Sequence, residues 1–119
     1  GLLTDVSNTV DTFMTDLREH DASDNVTLLL FSEFGRRVVD NGSGTDHGAA
    51  GVAFAVGEHI KGGVYGTYPS LEPSQQEDGG NLKFNLDFRS VYSTILEDWF
   101  QLDAEPIVGG NYERVEFFA

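Results

Sequence analysis

Two short segments carry residue types that chemistry needs. The first is Ser32-Glu33-Phe34-Gly35-Arg36-Arg37 and the second is Asp46-His47-Gly48. A carboxylate beside an imidazole is an oxygen-plus-nitrogen donor set that suits zinc, manganese or iron. Glycine neighbours let the backbone approach an ion or a bound anion closely. Glu33 either ligates a metal or pairs with Arg36 or Arg37. A guanidinium at Arg36 is able to clamp a phosphate or sulfate through two parallel hydrogen bonds. Each segment also has a plain structural reading, a turn with a solvated histidine in one case and a strand-end ion pair in the other.

Other chemical candidates are weaker. His20 sits at a helix end, where it favours the dipole. His59, beside Glu58, is an extra ligand or a surface histidine. Glu72 to Asp78 is acidic and precedes Gly79-Gly80, so it could hold calcium weakly, but it lacks the alternating carboxylates of an EF-hand loop. Asn25-Val26-Thr27 and Asn41-Gly42-Ser43 fit the glycosylation pattern, which also arises often by chance. The chain has no cysteine, no Gly-x-Ser-x-Gly elbow and no Walker-type phosphate loop, so it shows no obvious nucleophile of its own.

These residues must be positioned by regular elements. Leu3, Val6, Val10, Phe13 and Leu17 recur at helical spacing and predict an amphipathic first helix, ended by the turn at residues 21–25. Val26 to Phe31 is a nearly continuous apolar run, which predicts a strand buried on both faces, the habit of parallel sheets. Residues 32–51 show little hydrophobic periodicity and read as a ligand-binding loop beyond the carboxyl end of that strand. Val52 to Val56 predicts a second strand. Short strands are expected at Val64-Tyr65 and Leu82-Lys83-Phe84, and Asp87 is a good N-cap for a helix from Phe88 to about Trp99. Arg114 to Phe118 reads as a terminal strand or docked tail.

The chain has 119 residues, enough for one modest core. With 20 acidic against 7 basic residues the formal charge is -13. That argues against nucleic acid and anionic membranes as partners, because both need a basic face. No apolar run reaches the roughly 20 residues of a membrane span.

Four segments in order, FSEFGRR at 31–37, NGSGTDHG at 41–48, KGGVYG at 61–66 and DFRSVYSTIL at 87–96, resemble the carboxyl-terminal part of the DUF1501 proteins. That is a bacterial family of uncharacterised proteins, grouped with the alkaline phosphatase and sulfatase superfamily. The resemblance implies an α/β fold: part of a mostly parallel sheet with flanking helices, alkaline phosphatase-like, with long loops at the carboxyl edge of the strands. It implies that residues 1–119 form a single unit, the carboxyl-terminal fragment of a larger domain, whose nucleophile lies elsewhere. The expected activity of the parent is metal-dependent hydrolysis of a phosphate or sulfate ester, with a divalent metal (zinc, manganese or calcium). The alternative is a non-catalytic exported or surface-associated protein. Members of the family resemble exported proteins with an amino-terminal leader, so the expected location is periplasmic or extracellular. The expected partners are the missing part of the domain or a second copy.

The superfamily pattern can be laid on the chain in two ways. Asp46-His47 supplies the Asp-His metal pair, or Ser32-Glu33 takes the place of Ser-Asp at the strand end and His47 is the later histidine. The second keeps each ligand beside its strand and is preferred. The expected metal ligands are Glu33, Asp46 and His47, with Arg36 on the anion. Phe34 departs from the pattern, standing where the superfamily often has His or Asn. Arg89 is the one residue of the late helix singled out beyond packing.

Overall fold

The computed structural model describes residues 1–119. The first helix, α1 (Leu2–Glu19), is followed by strand β1 (Leu28–Leu30), then β2 (Gly35–Asp40), β3 (Thr45–Gly48) and β4 (Phe54–Val56). Helix α2 (Phe88–Thr94) runs on into a wider π turn at Ile95–Trp99, and a short α3 (Glu105–Val108) precedes the tail. The strands form two separate sheets of two strands each, β1 with β4 and β2 with β3, and both pairs are antiparallel.

This overturns the expected mostly parallel, alkaline phosphatase-like α/β sheet. The fold is a small α+β arrangement. A parallel pair needs a long crossover, usually helical, to bring the chain back to the same end. Here the stretch between β1 and β4 holds no helix. It holds the β2–β3 hairpin, so the chain returns antiparallel, Leu28 opposite Val56 and Leu30 opposite Phe54. Nor is the apolar run of β1 buried on both faces: its three leucines are half-buried and Phe31 is exposed.

The expected loop at residues 32–51 is therefore largely a hairpin. Its turn is closed by the Asn41 N–H donating to the Gly44 carbonyl at 2.8 Å. Gly42 takes φ +92°, a left-handed conformation that glycine adopts without steric cost. At the other end of β2, Gly35 is buried against the Ala50 carbonyl, where a Cβ would lie 1.6 Å from the oxygen. That contact locks the start of the hairpin to the segment leading into β4.

The remaining core lies around α2. Thr94 is fully buried. Its hydroxyl donates to the Ser90 carbonyl at 2.8 Å and accepts from the Val115 N–H at 2.7 Å, tying the tail to the helix. Val115 and Phe117 are buried, and Phe118 bridges back to Ile60. The expected tail docking is seen, whereas no strand forms at Val64-Tyr65 or over residues 82–84. Trp99 stacks on Phe118 with ring centroids 5.7 Å apart.

Only nine of 119 residues are buried, and the radius of gyration is 16.7 Å. A compact domain of this length has a radius near ~13.5 Å. The looseness runs along the whole chain: Leu2 and Leu3 of α1 are 85% and 86% exposed, and Val64 and Tyr68 are 94% and 87% exposed.

Candidate functional site

The β2–β3 hairpin gathers most of the chemistry-bearing residues. In its register Arg36 lies opposite His47 and Gly35 opposite Gly48. Cross-strand partners share a face. Phe34, two residues before Arg36, extends that face, and its ring lies flat on the His47 imidazole at 3.5 Å between centroids. The Arg36 guanidinium stands 5.1 Å from the Phe34 centroid and donates to the Thr45 carbonyl at 2.6 Å. Arg37 leaves the strand on the opposite side, donating to the carbonyls of His47 at 3.1 Å and Asp78 at 2.6 Å. The loop after residue 78 clips on here, with Val38 N–H donating to the Gly80 carbonyl and Ala49 N–H to the Asn81 side chain.

Arg36, Asn41, Ser43, Gly44, Thr45, Asp46 and His47 line a wide, open depression of about 740 Å³ with no apolar wall. Of the expected site residues, Arg36, Asp46 and His47 thus border one hollow. Glu33 does not line it, and its carboxylate accepts from the neighbouring Ser32 hydroxyl at 3.3 Å. Asp46 and His47 are adjacent on one strand and leave it on opposite faces. Asp46 accepts from the Asn41 amide at 2.7 Å, while His47 packs on Phe34.

No three His, Asp or Glu side chains converge as a set of metal donors. Asp46 is occupied by Asn41, and the His47 ring lies beside a guanidinium that repels a cation. Glu33, Asp46 and His47 therefore do not stand together as one donor set in this structure.

The charge pattern is more informative. Three of the arginines are matched with carboxylates: Arg18 with Glu58, Arg89 with Asp87, and Arg114 with Glu97 and Asp98. Arg36 and Arg37 form no such pair and bond to neutral carbonyls. The hairpin therefore keeps two arginines outside any ion pair, while Asp40 and Asp46 on the same hairpin balance its formal charge. Asn41, Ser43 and Thr45 were not singled out as lining residues by sequence. The signal was there in Asn41-Gly42 between Val38-Val39 and Thr45, a strong short-range hairpin marker.

Residues 1–108 match the family described as a protein of unknown function, DUF1501. The chain belongs to that family. No curated protein and no solved structure matches it.

Proposed function

We propose that this chain is the oxyanion-holding part of a DUF1501 protein that acts on phosphate or sulfate esters, the chemistry of the alkaline phosphatase/sulfatase-like superfamily. What supports the reading is the pair Arg36 and Arg37, the arginines without a carboxylate, on the hairpin that also carries His47. Arg36 offers its remaining N–H groups to the anion, and Thr45 supplies a hydroxyl beside it. Any nucleophile and metal donors come from outside residues 1–119, and the parent works in the periplasm or outside the cell. Titration of the chain with inorganic phosphate and with sulfate tests this. Arg36→Ala is expected to weaken binding about tenfold, the equivalent of about 1.4 kcal/mol for one charge-assisted contact. Equal binding by wild type and Arg36→Ala overturns the reading.

A second reading, a non-catalytic part held in an assembly, is favoured by the exposed apolar residues of α1 and by Phe31, Val52 and Phe54 around β1 and β4. Large exposed apolar surface marks association. Sedimentation at high salt, where the repulsion of net charge -13 is screened, would then show dimers or larger species. A monomer at every concentration speaks against it.

A further inference from the structure

The turn of the β2–β3 hairpin assembles an unusual set of contacts on one side chain. Asn41 is the only asparagine in the chain followed by glycine. The Gly42 N–H, the group next to the Asn41 amide, donates to Asp40 Oδ1 at 2.6 Å. The Asn41 side-chain oxygen accepts from the Ser43 N–H at 3.0 Å and from the Ser43 hydroxyl at 3.2 Å. Its nitrogen donates to Asp46 Oδ1 at 2.7 Å. The orientation of the amide follows from these partners, since a flip would set its oxygen against the Asp46 carboxylate. Gly42 has no Cβ, and a Cβ there would meet nothing within 4 Å, so no neighbouring atoms crowd that side of Gly42.

We propose that Asn41 is a self-modification site, at which the hairpin promotes its own conversion to aspartate and isoaspartate. Asp40 takes the proton from the Gly42 nitrogen, which attacks the Asn41 side-chain carbonyl carbon and forms a carbon–nitrogen bond. The negative charge that develops on the carbonyl oxygen is held by the Ser43 N–H and hydroxyl, the arrangement of an oxyanion hole. The carbon–Nδ2 bond then breaks. The proton that Asp40 took up passes to the departing nitrogen, which leaves as ammonia. The product is a five-membered imide joining residues 41 and 42. Solvent water opens it at either carbonyl, so the sum is one amide and one water giving one carboxylic acid and one ammonia. The new carboxylate stands at position 41, on the rim that also carries Arg36. Its consequence, weaker anion binding, rests on the proposed function, but the conversion itself does not.

The test is incubation of the full chain, folded in buffer and unfolded in urea, at physiological temperature and neutral pH, followed by peptide mapping that separates asparagine, aspartate and isoaspartate. Conversion at position 41 is expected to run faster in the folded chain than in urea. The other asparagines, which precede Thr, Val, Leu or Tyr, should stay intact. Asp40→Ala removes the base and should slow the folded chain by about a hundredfold, the lower end of what a positioned base contributes. Ser43→Ala should also slow it, with circular dichroism confirming that both variants fold. A folded rate equal to or below the urea rate, or an Asp40→Ala rate equal to wild type, overturns the proposal. Phosphate binding measured on the same samples reads the consequence separately, so a failure of anion binding leaves the mapping result intact.

Discussion

The imidazole of His47 lies against the ring of Phe34, 3.5 Å between centroids and within 13° of parallel. The hairpin register produces this contact, since Arg36 faces His47 and Phe34, just before β2, is the next residue on that side. Phe34 therefore buttresses the histidine. Phe34→Ala removes the stack and the aromatic face under Arg36. The unfolding free energy should fall by about 1 kcal/mol for the lost pair alone, and phosphate binding should weaken. Urea unfolding of the variant with unchanged midpoint and slope would show that the contact contributes nothing.

Gly35 allows a test of how the hairpin is held. A Cβ there would meet the Ala50 carbonyl oxygen at 1.6 Å and its carbon at 2.2 Å, and both are backbone atoms that cannot swing aside. Gly35→Ala should cost about 3 kcal/mol and separate β2 from the segment before β4. Gly62, where a Cβ meets nothing within 4 Å, is the matched control, and Gly62→Ala should leave the thermal midpoint nearly unchanged. Equal midpoints for the two variants would deny the close approach.

Local chemistry was legible in the sequence, and pairing direction was not. Helix α1 and the N-cap Asp87 of α2 form where the pattern places them, although α1 buries Met14 and leaves Leu3, Val6 and Phe13 of the predicted stripe exposed. The run from Val26 to Phe31 marks a strand, but an apolar run of that length looks the same in a parallel sheet and in a half-buried antiparallel ribbon. The intervening residues decide between them, and Asn41-Gly42 was the clue to a hairpin in place of a helical crossover. The helix from Phe88 keeps α geometry only to Thr94 and then widens at Ile95–Trp99, a change no periodicity signals. Arg36, Asp46 and His47 were singled out by residue type, and the hairpin does bring them to one hollow. That Arg36 and Arg37 lack carboxylate partners depends on every other side chain around them, so only the fold reveals it.

The depression lacks a paired nucleophile and base. The Ser43 hydroxyl is directed at Asn41, and His47 packs on Phe34 away from any serine or threonine hydroxyl bond. Activation of a hydroxyl requires a base within hydrogen-bond reach. The 119-residue chain should therefore show no turnover of an aryl phosphate or aryl sulfate, with or without added zinc, manganese or calcium. Hydrolysis that His47→Ala abolishes would place a complete active site inside this chain.

Asp87 links stability to pH. Its Oδ1 accepts from the Arg89 backbone N–H at 2.9 Å, capping α2, and both carboxylate oxygens accept from the Arg89 guanidinium, at 2.9 and 2.7 Å. The guanidinium in turn lies 4.4 Å from the Tyr112 ring centroid, so the cap is joined to the tail. The hydrogen bonds from the Arg89 side chain, opposed by partial burial and aided by the backbone N–H, hold the Asp87 carboxyl below its ordinary 3.8. A carboxyl held low in the folded state stabilises the fold above its unfolded value, and the contribution disappears as pH falls through the folded value. The relevant window therefore lies below about pH 4. Asp87→Ala loses the cap and should cost about 1 kcal/mol at neutral pH. Asp87→Asn keeps a capping oxygen but not the charge, so it isolates the ion pair. In urea unfolding, the stability gap between wild type and Asp87→Asn should be present at neutral pH and close progressively below about pH 4, as the wild-type carboxylate takes up its proton. A gap that is constant across that range, or that widens in acid, would show that the Arg89 contact does not favour the charged form of Asp87.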